Sequence, residues 1–203
     1  RLDREDPYSP EDLKKYRKAS LKLINSDRSL FLVQCLALRA ACLIGARSKN
    51  QVFNLRWDQI IIKANKIKYQ DSKNDEPMVL YFDYRFKAVL RIMLQHRKTI
   101  NHRDKRFAYV FPTHTKKSKT KHLVDPRKTH SSILELAKLP YKCIHFLRHS
   151  WATNGYAATA DSLGVQELGG WKDPKSVSKY IKVSEKVKRE RVKQIAAYMS
   201  HAG

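Results

Sequence analysis

Cysteine is scarce in this 203-residue chain: Cys35, Cys42 and Cys143 make an odd number, and each stands in apolar company. That argues against a disulfide framework and for a reducing compartment; the three are expected to serve as small core hydrophobes. Long apolar runs are missing too. No stretch reaches about 18 uncharged hydrophobic residues, and residues 1–20 are charged throughout, which excludes a membrane-spanning helix and an N-terminal secretory signal. A soluble cytoplasmic protein is the expectation. Position 1 is Arg1 and not Met, so the chain reads as a piece from which an upstream domain has been removed. Acidic residues are the third shortage. Against 42 Lys and Arg there are 19 Asp and Glu, for a formal net charge of +23, and so large an excess points to a polyanionic partner.

The positive charge is not spread evenly. Residues 1–13 are net acidic, whereas residues 96–130 hold Arg97, Lys98, Arg103, Lys105, Arg106, Lys116, Lys117, Lys119, Lys121, Arg127 and Lys128 against Asp104 and Asp125. A solvated basic face is the plain alternative, but the total imbalance favours contact with a nucleic-acid backbone. Lys116, Lys117, Lys119 and Lys121, in the lysine-rich loop 113–124, are the candidate backbone contacts.

Ser9-Pro10-Glu11-Asp12 combines an N-cap, a proline at the first helical position and an acid three residues after the cap, so a helix is expected from about 10 to 24. Ser29 to Ile44 is almost continuously apolar and ends at Gly45, the pattern of a buried helix stopped by glycine. Ser48 is placed to cap a short helix through Leu55. Gln59–Lys63, Lys66–Gln70 and Met78–Phe82 are β-branched or alternating runs that predict a small antiparallel sheet. Asp83 opens another helix, and Phe107–Phe111 reads as a short strand. From Asp125 onward the segments 126–138, 145–156, 160–168, 174–181 and 185–199 read helical, with no internal repeat. The fold class is mainly α with a small three-stranded antiparallel β-sheet, in a single domain spanning 1–203.

Chemistry concentrates near the C-terminus. His145 and Arg148 lie three apart on a predicted helix and share a face. A guanidinium forks two donors onto phosphate oxygens and keeps its charge at any cellular pH. Tyr180 stands between Lys179 and Lys182, and a phenol with a pKa of about 10 becomes a useful nucleophile only when cations stabilise its anion. An amphipathic tyrosine with its ring in the core is the plainer reading.

The ordered set His145-Phe-Leu-Arg148-His149-Ser-Trp-Ala-Thr, Leu168-Gly-Gly-Trp171 and Tyr180 resembles the C-terminal signature of the tyrosine recombinases, the phage-integrase family. Ile44-Gly-Ala-Arg47 with Leu55-Arg-Trp-Asp58 resembles that family's arginine box, and Ser72-Lys73-Asn-Asp-Glu-Pro-Met-Val-Leu its β-hairpin lysine segment. The likeness spans about residues 9–199 and implies the integrase catalytic-domain fold. It makes Tyr180 the nucleophile that forms a 3′-phosphotyrosyl bond with double-stranded DNA. Arg47 and Arg148 become the ligands of the non-bridging oxygens, Lys73 the general acid for the departing 5′-oxygen, His145 an aid to proton transfer, and Trp171 a packing or N–H donor group. No cofactor or metal is implied. The implied protein is a site-specific recombinase of a mobile element, nucleoid-associated and of bacterial or phage origin. It works as a homotetramer on DNA, and its 185–199 helix docks either on its own domain or on a neighbouring protomer.

Two departures from the pattern stand out. Seven residues separate Arg47 from Leu55 where six are usual, which calls for a local bulge, and the usual acid after the arginine is replaced by Asn50 or Gln51. Arg56 is the alternative to Arg47; Lys63, Lys66 and Lys68 are alternatives to Lys73. Two other functions fit the same residues: relaxation of supercoils by a type IB topoisomerase, and DNA binding without catalysis.

Overall fold

The structure is a computed structural model that describes residues 6–69, 78–178, 180 and 185–200. Its elements are α1 (Pro10–Ser26), α2 (Arg28–Leu43), β1 (Ile60–Ile61), β2 (Lys66–Tyr69), β3 (Met78–Tyr81), α3 (Tyr84–Arg97), α4 (Arg127–Ala137), α5 (His145–Thr159), α6 (Ser162–Gly169), α7 (Pro174–Ser178) and α8 (Glu185–Ser200). The helix starts follow the expected chemistry. Ser9 Oγ accepts the Asp12 N–H while the Asp12 carboxylate accepts the Ser9 N–H, both at 3.1 Å, a closed capping box. Asp27 ends α1 and caps α2 through the Leu30 N–H at 3.0 Å. Asp83 caps α3 through the Arg85 and Phe86 N–H groups.

Helix α2 is the central support. Cys35, Leu36, Ala37, Leu38, Ala40 and Ala41 are all buried, and α1, α3, α4 and α5 pack around it. A helix apolar on every side is stable only when surrounded in this way. The sheet has the order β1-β2-β3 and is antiparallel, with Ile67 opposite both Ile60 and Leu80. Ile67 and Leu80 are fully buried, so a one-residue slip would expose both.

Four local expectations are corrected. β1 is two residues long because 3₁₀ turns at Trp57–Gln59 and Ile62–Ala64 bend the backbone on either side of it. Phe107–Phe111 is no strand: a 3₁₀ turn takes Lys105–Ala108, and the residues after it pair only through the single bridges Arg56 to Tyr109 and Pro112 to His122. The segment's apolar character serves burial, since Val110 and Phe111 sit in the core. Ser48 caps no helix; its hydroxyl is buried without a hydrogen-bond partner among the described residues. Cys143 is exposed, unlike Cys35.

The core divides in two. A large cluster holds α1 to α4 with the sheet, and a smaller one gathers Ala152, Tyr156, Val165, Trp171 and Val177. Helix α5 contributes Leu147 to the first and Ala152 and Tyr156 to the second, so its first turns lie at the seam. A strap ahead of α1 holds this helix from outside. Tyr8 donates its N–H to Ser150 Oγ (2.9 Å) and its hydroxyl to the Pro140 carbonyl (3.1 Å), while its own carbonyl accepts from Asn154 (2.9 Å). Below it, His130 bridges Tyr16 and the Lys142 carbonyl, each at 2.8 Å, and fixes the approach to α5.

Candidate active site

The site is built where the C-terminus of α2 meets α5. Gly45 takes a left-handed φ of 60°, and a Cβ there would collide with the Trp151 indole, so glycine is required twice over. Its carbonyl accepts the Arg148 Nη1–H at 2.5 Å, and Trp151 Nε1 donates to the Leu43 carbonyl at 3.2 Å. The two chain segments are thereby locked together. Past Gly45, exposed Arg47 begins a single π-helical turn, Ser48–Val52. Val52 N–H reaches the Arg47 carbonyl (3.1 Å) and Phe53 N–H the Ser48 carbonyl (2.9 Å), each five residues back. The seventh residue between Arg47 and Leu55 is absorbed in this wider turn, which is the bulge the spacing called for.

Arg148 is only 2% exposed, and its guanidinium carbon lies 3.7 Å from the centre of the Trp171 ring. Burial pulls its pKa down to about 10, with the Arg47 charge adding and Tyr180 opposing, so it remains a cation at neutral pH. A buried guanidinium with no carboxylate among its described partners is an electrostatic socket for an anion. His145 stands at the rim, lowered in pKa by partial burial and then by the charges of Arg148 and Arg47. One turn on, His149 is stacked on Phe146 at 4.8 Å and edge-on to His145 at 5.2 Å. Desolvation, with His145 and Arg148 contributing, pushes it to about 4, so its imidazole is neutral.

Tyr180 occupies a turn after α7, where the expectation had put it near the end of that helix. It is half-buried. Its N–H donates to the Val177 carbonyl (2.9 Å) and its carbonyl accepts the Thr153 hydroxyl (2.7 Å), which fixes the backbone against α5. The ring meets His149 edge-to-face at 3.8 Å and lies 5.9 Å from Trp171. Trp171 thus neighbours both the Arg148 guanidinium and the Tyr180 ring, and the Gly169-Gly170 turn makes room for it: a Cβ on Gly169 would strike its indole.

Of the sequence-derived candidates, His145, Arg148, Trp171 and Tyr180 form one contact chain through His149, and the Arg47 charge is felt at both His145 and Arg148. Lys73 lies outside the described residues. Arg56 is engaged elsewhere: it forks onto Asp58 at 2.9–3.2 Å and stacks on Tyr109. Lys63 is in the 3₁₀ turn after β1, and Lys66 and Lys68 are on β2. Three contributors were given no role from sequence: His149, Thr153 and Gln51. His149 was legible in principle, since it lies four residues after His145 and therefore on the same face.

The basic loop is ordered by its own cations. Buried Arg106, paired with Asp104 at 2.9 Å, donates to the Thr113 and His114 carbonyls at 3.0 and 3.2 Å. Lys121 spends its ammonium on the Lys116 and Ser118 carbonyls at 3.1 and 2.8 Å, while Lys116, Lys117 and Lys119 stay exposed. Among the described residues no group of three or more His, Cys, Asp or Glu is placed to hold a metal ion, and no helix is long and apolar enough to cross a membrane.

A mainly helical domain with a three-stranded antiparallel sheet, carrying this arginine, histidine, tryptophan and tyrosine cluster, has the tyrosine recombinase catalytic fold. The phage integrase family model matches residues 17–186, and the chain belongs to that family. Prophage integrase IntF of Escherichia coli K12 is 27% identical over 149 residues, 73% of this chain and 29% of that protein. The chain therefore spans well under half of that relative. XerH site-specific recombinase in a post-cleavage complex with palindromic difH substrate superposes with a TM-score of 0.72 at 20% identity, covering 97% of this chain and 54% of XerH. The catalytic domain of bacteriophage HP1 integrase does so with a TM-score of 0.54 at 16% identity, over 85% of this chain and 84% of that domain.

Proposed function

We propose that this chain is the catalytic domain of a site-specific recombinase that cuts and rejoins double-stranded DNA by transesterification through Tyr180. The observation that carries the reading is the buried guanidinium of Arg148, with no carboxylate among its described partners, seated on the Gly45 carbonyl and the Trp171 face, with the Tyr180 ring 5.9 Å from the same tryptophan. Phosphodiester exchange makes this demand. The Tyr180 oxygen attacks phosphorus as its proton departs, the bond to the 5′-oxygen breaks, and a 3′-phosphotyrosyl linkage and a free 5′-hydroxyl result. Charge builds on the non-bridging oxygens in the transition state. Fixed donors from Arg148 and Arg47 are worth most there, because they need no reorganisation at the moment of reaction. His145 at the rim is within the field of both arginines and is kept a poor proton holder, suited to passing a proton on. Lys73 protonates the leaving oxygen. The energy of the broken bond is held in the phosphotyrosine, and a 5′-hydroxyl attacking in reverse reseals a strand.

DNA is held through the exposed Lys116, Lys117 and Lys119 as well as the site itself. Assembly uses α8. Val192, Ile195, Tyr198 and Met199 are between 63% and 77% exposed, an apolar stripe that its own domain does not cover, and a neighbouring protomer in a tetramer on DNA is its natural cover. To test the chemistry, the protein is incubated with a nicked suicide duplex of its own site. A protein–DNA adduct that resists denaturant and disappears in Tyr180→Phe is expected; an undiminished adduct in that variant would refute the assignment.

A further inference from the structure

Resting on the transesterification reading, we propose that Gln51 is a positioning residue that ties the aim of Arg47 to the β2–β3 hairpin. Its Oε1 accepts the peptide N–H of Arg47 at 2.7 Å, closing the π turn from the side-chain end. Its Nε2 donates to Met78 Sδ at 3.5 Å, at the first residue of β3. Its carbonyl accepts the hydroxyl of Tyr69 at 3.2 Å, at the last residue of β2. Tyr69 is 7% exposed and burial raises its phenol pKa, so it is a dependable donor. One residue therefore holds the catalytic arginine's backbone and both strands of the hairpin where they meet its loop.

Met78 extends the connection. Its sulfur packs so closely on Gly170, whose φ is 65°, that a Cβ there would overlap it, so the same junction abuts the turn before Trp171. The chemistry explains why an amide stands here. A carboxylate would accept from the Arg47 N–H equally well, but it has no proton to donate to a thioether. Of Asn50 and Gln51, the two residues standing where the family pattern has its acid, Gln51 has an amide that reaches both the Arg47 N–H and Met78.

The test separates the two arms. Adduct formation is timed for Gln51→Met and Gln51→Glu on the nicked suicide duplex, and on the same duplex with sulfur in place of the bridging 5′-oxygen, a leaving group that departs without a proton. Gln51→Met loses both bonds and should slow adduct formation about 10- to 100-fold on either substrate, the cost of a small misplacement of a catalytic group. Gln51→Glu keeps the Arg47 bond and loses the Met78 bond, so it should be slow with oxygen and recover to within about 3-fold of the unsubstituted chain with sulfur. Thermal midpoints of both variants should stay near the parent's. Parental rates for Gln51→Met, or no recovery of Gln51→Glu on sulfur, would overturn the proposal while leaving Tyr180 chemistry intact. Absence of any adduct from the unsubstituted chain on both substrates would bring down the transesterification reading and this one with it.

Discussion

At the residue scale, the site depends on groups placed where they are costly. Gly45→Ala puts a methyl group into the Trp151 indole at a positive φ. It should destabilise the domain by about 2 kcal/mol or more and displace Arg148 with it; calorimetry reads the first effect and adduct yield the second. Arg148→Lys keeps a charge but loses the fork and the planar contact with Trp171, and should cut the adduct rate by roughly 10²–10³-fold in single-turnover assays. His149 gives a pH signature. Its folded pKa of about 4 lies below the ordinary histidine value, so the unfolded chain takes up the proton first. The stability it contributes is complete above about pH 6.5 and is lost as pH falls toward 4, by about 1 kcal/mol once solvent screening of a half-buried ring is allowed for. In His149→Phe, the fall in thermal midpoint between pH 7 and 4 should be shallower than in the parent.

At the element scale, the helices were legible because their signals are local: a capping box at Ser9, an apolar run closed by a glycine for α2, an aspartate before α3. The order of motifs along the chain also nominated His145, Arg148, Trp171 and Tyr180, each in a short, characteristic pattern, and the fold brings the four together. What escaped was set by distant partners. Phe107–Phe111 has strand composition, yet nothing lies alongside it but single residues of other segments, and Ser48 has a capping side chain with no helix start to cap. Gln51 could not be ranked above Asn50 without knowing that the turn is of the π type. The lysine loop shows the same limit, because a charge count treats Lys121 like its neighbours. If Lys121 is the clasp that its two carbonyl bonds imply, Lys121→Met should weaken DNA binding more than Lys119→Ala does. The salt slope should fall by more than the roughly 0.9 of a single phosphate contact. Fluorescence anisotropy over a salt series checks this, and identical behaviour of the two variants would count against the clasp.

At the scale of the whole molecule, charge and apolar surface divide the labour. On the proposed function, the excess of +23 is what draws the chain to DNA in a salt-dependent manner, whereas the stripe on α8 is uncharged and indifferent to salt. Ile195→Asp together with Met199→Asp should leave the thermal midpoint of the isolated chain unchanged and abolish slower-migrating complexes on a two-site DNA. Native gels and sedimentation would show both. Arg191 tethers this helix to its own domain through the Ala160 carbonyl at 3.2 Å and the face of Tyr156. The strap at Tyr8 works at the other end of the chain. Its peptide group is stitched to Ser150 and Asn154, on the helix that carries His145 and Arg148, so tension on the backbone ahead of Tyr8 arrives at the catalytic helix with little slack. The socket of Arg148 is therefore anchored from a point well over a hundred residues away in the chain, by two hydrogen bonds of one residue's backbone.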